Sequence, residues 1–348
     1  MVARHCLFRL CLAVYVVVWF FAIDARNVLA IGGRHTVAEA EYIKLANNQG
    51  KFKAGKAYPD FSPVCVLGRF GNDDQWHGTG VLIAPQWVLT AAHVALREDD
   101  ARRFEDVLKV RFGSSAKKFT SEYKVTDMFT PLPLGGGAYD WFVNKGKKQF
   151  SREERMKADM NDIALLKLSQ PVKNIKPAEL FEGNPKLGAQ LFLVGFGAYA
   201  PGTQPDESKW DDNGVKRAAE NTLDRDGHHD TAGLIAFDFD NGHRKRNSLL
   251  SNRYLDNELR TMLGKGESSR TPLPLEGSSY PGDSGGPAFC AENGRWRVLG
   301  IAAFGTEYPL TGSRHYVQYG DVLCYTRVPS HLTWIRGTMA RWRGNRGK

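Results

Sequence analysis

Three short stretches carry residues that could cooperate in covalent chemistry. Gly282-Asp283-Ser284-Gly285-Gly286-Pro287 sets a serine on a glycine-rich turn, and Thr90-Ala91-Ala92-His93 sets a histidine behind small residues. Asn161-Asp162-Ile163-Ala164-Leu165-Leu166 sets an aspartate at the entrance to an apolar strand. Attack on an acyl carbon needs a nucleophile, a base to take its proton and a carboxylate to orient the base. Here those parts run in the order His, Asp, Ser. Glycines around Ser284 let the backbone turn sharply and bring N–H groups close to a substrate oxygen. Small residues before His93 leave its ring a tight gap beside a nucleophile.

Each stretch has a plainer reading when taken alone. Gly, Asp and Ser are ordinary turn residues, a lone histidine is commonly structural, and an acid can simply open a strand. Gly282 to Gly286 also satisfies the Gly-x-Ser-x-Gly elbow of an esterase. That fold needs Ser, then Asp or Glu, then His, with strand–helix alternation around the serine. Only His315 and His331 follow Ser284, and the surroundings read as strands.

The elements that must position these residues are short. Val64–Leu67, Gly80–Ile83, Trp87–Thr90, Ile163–Leu168, Gln190–Val194, Leu234–Phe239 and Val298–Phe304 are apolar runs bounded by Gly, Pro, Asn or Asp. They indicate an all-β barrel or sandwich. His331 to Trp342 reads as a helix, with Leu332, Ile335 and Met339 along one stripe. The stretches Asp127–Met160, Tyr199–Gly214 and Asn241–Arg270 read as inserted surface loops. A boundary near Pro171–Pro185 places His93 and Asp162 in the first half and Ser284 in the second.

Residues 1–30 have the pattern of a signal peptide: Arg4 and Arg9, an apolar run from Leu10 to Ile23, and small residues at Val28-Leu29-Ala30. That run is short for a membrane span, so no stable span is expected after cleavage. Removing the leader loses three arginines and one aspartate, taking the formal charge from +9 to +7. A moderate, scattered positive charge defines no nucleic-acid binder, and no nucleic-acid-binding signature is present. Beyond the leader stand Cys65, Cys290 and Cys324, which allow one disulfide; Cys290 and Cys324, both in the C-terminal half, are the preferred pair. His228-His229 and Asp238-x-Asp240-Asn241-Gly242 complete no metal spacing and read as loop surface. Neither a metal nor a cofactor is expected.

Taken together, these motifs resemble the trypsin/chymotrypsin-type serine proteases over nearly all of Ile31 to Trp342. The resemblance implies two six-stranded antiparallel β-barrels with a C-terminal helix. Residues 31–180 would form the first barrel, carrying His93 and Asp162. Residues 181–348 would form the second, carrying Ser284, the helix and a basic tail. By motif, Ser284 is the nucleophile, His93 the general base and then acid, and Asp162 the orienting carboxylate. The N–H groups of Gly282 and Ser284 form the oxyanion hole. Ile31-Gly32-Gly33 resembles the family's mature N-terminus, whose α-amino group pairs with the acid before the nucleophile, here Asp283. A cut after Ala30 would make that terminus directly; a cut after Ala25 would leave residues 26–30 as a pro-segment.

Departures from the family are informative. Val94, Gly78 and Tyr280 stand where many animal members have cysteine, so the chain looks more like the disulfide-poor bacterial members. Ser278, six residues before Ser284, lies at the expected base of the specificity pocket, with Ala303, Phe304 and Gly305 on its wall. A buried guanidinium would lack a partner there, so an uncharged or apolar side chain is the expected guest. Gly305 and its neighbours would pair with the substrate backbone as an added strand. The expectation is a monomeric serine endopeptidase, secreted to an extracellular or periplasmic space and acting on polypeptides. The alternative is a catalytically silent binding protein on the same fold.

Overall fold

The computed structural model describes residues 31–71, 74–96, 108–132, 150–204, 206–229, 232–250, 255–306 and 318–344. The expected leader, the centre of the first insertion (133–149), His315 and the end of the basic tail lie outside the described residues.

The chain begins with β1 (Gly32–Gly33) and α1 (Glu39–Ala46). Six strands then close a barrel: β2 (Val64–Arg69), β3 (Gln75–Ala84), β4 (Trp87–Thr90), β5 (Leu108–Gly113), β6 (Phe119–Phe129) and β7 (Ala164–Leu168), in the order β2-β3-β4-β7-β6-β5. Its registers set Val64 beside Val81, Val88 beside Leu166 and Leu89 beside Leu165, all fully buried. Register shifts at Leu67/Gly68, Leu82/Ala84, Phe112/Gly113 and Val125/Asp127 bend the strands, as closure requires. The antiparallel pairing of β4 with β7 has a direct consequence. Thr90 ends β4 opposite Ala164, which begins β7, so the residues just beyond, α2 (Ala92–Ala95) with His93 and the turn with Asp162, share one end of the barrel.

The second half forms a sheet from β8 (Gln190–Gly195), β9 (Arg217–Thr222), β10 (Arg225–His229), β11 (Ala232–Asp238), β13 (Pro287–Glu292), β14 (Arg295–Thr306) and β15 (Val322–Arg327), in the order β10-β11-β15-β14-β13-β8-β9. The outermost strands, β9 and β10, are one chain run broken only at Leu223-Asp224, so seven hydrogen-bonded segments arise from six runs. Between β11 and β13, β12 (Gly277–Ser278) pairs with β1. One apolar core passes through both halves, from Leu67 and Val88 to Phe192 and Leu299. The C-terminal helix α5 (Leu332–Gly344) joins the same core through Ile335, which is fully buried, while Leu332 and Met339 pack against it. Trp342 meets Trp87 and Phe129 edge-on at 6.4 and 6.1 Å, seating the helix on the first barrel.

Three sequence expectations change here. The expected Cys290–Cys324 disulfide is absent, and the three described cysteines are free and buried. Cys290 lies on β13 and Cys324 on β15, with β14 between them. Two strand spacings come to about 9.5 Å, beyond the roughly 7 Å over which Cα atoms can be bridged.

The inserted segments also do more than cover the surface. Helix α3 (Arg152–Asp159), opened by a capping box between Ser151 and Glu154, lies beside α4 (Asn257–Leu263) and contacts it through Arg155 and Glu258. Leu249, Leu255, Leu259, Met262 and Leu263 build a second core against Leu234, Ala236, Val322 and Cys324. Trp210 of the 199–214 stretch is buried edge-on to Tyr280, with ring centroids 5.0 Å apart.

Lastly, the Asp238-x-Asp240 stretch is not loop surface. Asp224, Asp238, Asp240 and Glu276 are all buried. Among the described residues no group of His, Cys, Asp or Glu side chains is arranged to hold a metal ion. Asp238 accepts from the N–H groups of Ser248 and Leu249, and Asp224 from the N–H of Asp238 at 3.2 Å. Burial, then the negative charges of Asp238 and Glu276, push the Asp240 carboxyl up to about 9 from its ordinary 3.8. The folded chain therefore keeps a proton that the unfolded chain releases between those two values. Stability contributed by that proton is complete below pH 3.8 and falls as pH rises to about 9. Asp240→Asn keeps the shape and removes the titration. Its melting temperature should be nearest to wild type at about pH 4 and exceed it by a margin that grows with pH, about 3 °C or more larger at pH 9 than at pH 4, as read by calorimetry. Parallel pH profiles for the two proteins would contradict this assignment.

Candidate active site

The serine turn owes its shape to glycine at two points. Gly282 and Gly285 have φ of 95° and 81°, which side chains with a Cβ rarely adopt. Space is the second constraint at Gly285. A Cβ there would stand 2.1 Å from Thr90 Oγ1, 2.3 Å from the Thr79 carbonyl oxygen and 2.9 Å from the Ala91 nitrogen. The turn is thus wedged directly onto the stretch leading to His93. Thr79 fastens it from the first barrel: its N–H donates to the Ser284 carbonyl (2.8 Å) and its hydroxyl to the Gly282 carbonyl (3.0 Å). Thr90 Oγ1 donates in turn to the Thr79 carbonyl at 2.8 Å.

Asp162 grips His93 at two points. Oδ1 accepts the His93 backbone N–H at 2.9 Å, and Oδ2 lies 2.6 Å from Nδ1. Its backbone carbonyl accepts from Thr326 Oγ1 of β15 at 2.8 Å, so the second sheet also holds this turn. Next to it, Asn161 meets the ring of His331 at 3.1 Å; burial lowers that imidazole to about 4, a structural and neutral histidine. With Nδ1 of His93 facing a carboxylate, Nε2 is the nitrogen left to accept a proton. Among the described residues no hydrogen bond joins Nε2 to Ser284 Oγ.

Asp283 is buried, its Oδ2 accepting the Tyr280 N–H (3.0 Å) and its Oδ1 the Gly197 N–H (3.4 Å). Burial pushes its carboxyl well above the usual range. A Cβ on Gly195 would stand 1.9 Å from Asp283 Oδ1, so only glycine leaves room for the carboxylate. Ile31 is fully buried, beside the β1–β12 pairing of Gly32 with Ser278 and Gly33 with Gly277.

A cavity of about 220 Å³ opens beside Ser284. Ala303, Phe304 and Gly305 line it, together with Ser279, Tyr280, Leu323 and Tyr325. Ser278 does not line it. That residue is held in the ladder with Gly32, fully buried, and its neighbour Ser279 takes the cavity side, because successive side chains on an extended segment face opposite ways. Asp321 also lines the cavity, its carboxylate accepting the Gln318 N–H at 2.5 Å. Thr79, Thr326, Gly195 and Gly197 were not singled out by the sequence; each acts through a partner remote in the chain.

A closed β-barrel joined to a second antiparallel sheet, with serine, histidine and aspartate between them, defines a hydrolase of the double-barrel class. The sequence matches the trypsin-like peptidase domain over residues 78–301, and the chain belongs to that family. It is a serine endopeptidase. Snake venom serine protease KN6 of Trimeresurus stejnegeri is 27% identical over 274 residues, covering 77% of this chain and 79% of that protein. The thrombin-like enzyme AhV_TL-I of Gloydius halys is 27% identical over 75% of this chain and 84% of its own. Serine protease SSP1 of Scolopendra subspinipes is 26% identical over 81% and 80%. No helix among the described residues is long and apolar enough to cross a membrane.

Proposed function

We propose that this chain is a secreted endopeptidase that cleaves peptide bonds through an acyl-enzyme on Ser284. The observation carrying this reading is the juxtaposition at Gly285, which wedges the serine turn against Thr90 and Ala91 while Asp162 holds His93 by both backbone and ring. His93 Nε2 takes the Ser284 proton as Oγ adds to the carbonyl carbon. The oxygen that becomes negative lies against the N–H groups of Gly282 and Ser284, neither of which donates to a described residue. The imidazolium returns its proton to the leaving amine, and water repeats the sequence on the ester. These roles follow the general Ser-His-Asp template.

Secretion follows from the leader, and maturation after Ala30 would give Ile31 a free α-amino group. That cation is the partner a buried Asp283 carboxylate calls for, since two N–H donors alone leave its charge uncompensated. The walls of the cavity, Ala302, Ala303, Phe304 and Leu323, favour an uncharged, apolar residue on the acyl side of the cleaved bond. A peptide library varied at that position should show apolar residues cleaved at least about tenfold faster than Lys, Arg or Glu. Preference for Lys or Arg would instead mean that the Asp321 carboxylate reaches the substrate.

A further inference from the structure

We propose that Arg217 is a positioning residue for the oxyanion hole, a cation clamped by Glu39 that holds Gly197 against the Asp283 carboxylate. The proposal rests on the reading of Asp283 as the anion behind that hole. It begins with an expensive placement: Arg217 opens β9 with no exposed surface, and a buried guanidinium is tolerated only when paired and hydrogen-bonded. Its donors are spent as follows. Nε donates to Glu39 Oε1 at 2.8 Å, and Nη2 donates to the same oxygen and to Asn213 Oδ1 at 2.9 Å. Nη1 donates to the carbonyls of Val215 (3.0 Å) and Gly197 (3.3 Å).

Two of these partners lead to the catalytic apparatus. Gly197, whose carbonyl Arg217 holds, donates its own N–H to Asp283 Oδ1 at 3.4 Å. Register agrees: Arg217 pairs with Gly195 on β8, the glycine whose missing Cβ makes room for that oxygen. Glu39 leads the other way. It stands eight residues after Ile31 at the start of α1, on the segment that β1 pins to β12. The Glu39–Arg217 pair is a non-covalent tie between the N-terminal segment and the strand beside the serine turn. No described cysteine is available for that task. Besides the Ile31 α-amino group proposed for the mature chain, the titratable groups facing Asp283 are Arg217 from β9, Tyr280 from its own turn and Tyr325 from β15; of these three side chains only Arg217 carries positive charge and favours the ionised carboxylate.

Arg217→Met, Arg217→Lys and Glu39→Gln in the full secreted protein test this. Arg217→Met should lower kcat by about tenfold to a hundredfold with KM within about twofold, since the hole is misplaced while the substrate pocket stays. Without the cation the neutral carboxyl is favoured, so the acid limb of kcat/KM should move up by about one pH unit. Arg217→Lys should recover part of both effects, and Glu39→Gln should fall between Arg217→Met and wild type. Wild-type kcat and acid limb in these variants, or a loss confined to KM or to melting temperature, would overturn the proposal. Should Arg217→Met not fold, Glu39→Gln decides by the same readouts, because it leaves the Asn213, Val215 and Gly197 contacts in place. Absence of Ser284-dependent hydrolysis in wild type would remove the catalytic reading itself. Hydrolysis indifferent to Arg217 would remove only this proposal.

Discussion

Replacing Ser284 with alanine should lower kcat on a peptide substrate by about 10⁶-fold, with KM changed by no more than about threefold. The expected loss is that large because, in the proposed mechanism, a single atom, Oγ, supplies the electrons that form the acyl bond. The rest of the site stays in place. The Ser284 carbonyl keeps its bond to Thr79, Gly285 keeps its seat on Thr90, and the cavity walls are untouched. Circular dichroism and melting temperature should therefore match wild type, which separates loss of chemistry from loss of fold. Residual hydrolysis above the uncatalysed rate would come from the oxyanion donors and substrate binding.

Asp162→Asn should lower kcat by about 10⁴-fold at neutral pH. The substitution is nearly isosteric, and the amide oxygen can still accept the His93 backbone N–H now bound at 2.9 Å. The other half of the grip reverses. An NH₂ group in place of Oδ2 presents a donor to Nδ1, so the ring must carry its proton on Nε2. The nitrogen meant to accept the serine proton is then occupied. Combining Asp162→Asn with Ser284→Ala should cost no more than Ser284→Ala alone, since residues acting as one unit are not additive. A double mutant much slower than either single one would show that the two act separately.

The residues proposed to carry the chemistry stand out in the sequence because each sits in a local pattern: glycines about Ser284, small residues before His93, an apolar strand after Asp162. The strands were legible for the same reason; Val64–Leu67, Trp87–Thr90 and Gln190–Val194 fall within β2, β4 and β8. What joins the motifs was not. Thr79 and Ser284 are neighbours only after two sheets have folded, and nothing local marks Thr79 as a fastener. Ser278, the residue expected in the pocket, is turned away from the cavity by its pairing with β1, and Ser279 lines it instead. Cys290 and Cys324 share a half of the chain, yet an intervening strand keeps them apart. The apolar stripe Leu255, Leu259, Met262 and Leu263 was hidden by charged neighbours, and it packs a second core where composition suggested an exposed loop. Asp238 and Asp240 misled in the same direction, because a polar sequence carries no sign that these side chains, like Asp224 and Glu276, will be buried.

Covalent labelling is the most direct test of the central claim. The purified protein would be treated with a fluorophosphonate at neutral pH, its intact mass taken, and the modified peptide sequenced. One adduct per chain, on Ser284, absent from Ser284→Ala and formed far more slowly by Asp162→Asn, is the result the geometry predicts. A chain starting at Ile31 that takes no adduct, or takes it on another residue, would contradict the assignment of Ser284, His93 and Asp162 as the catalytic unit.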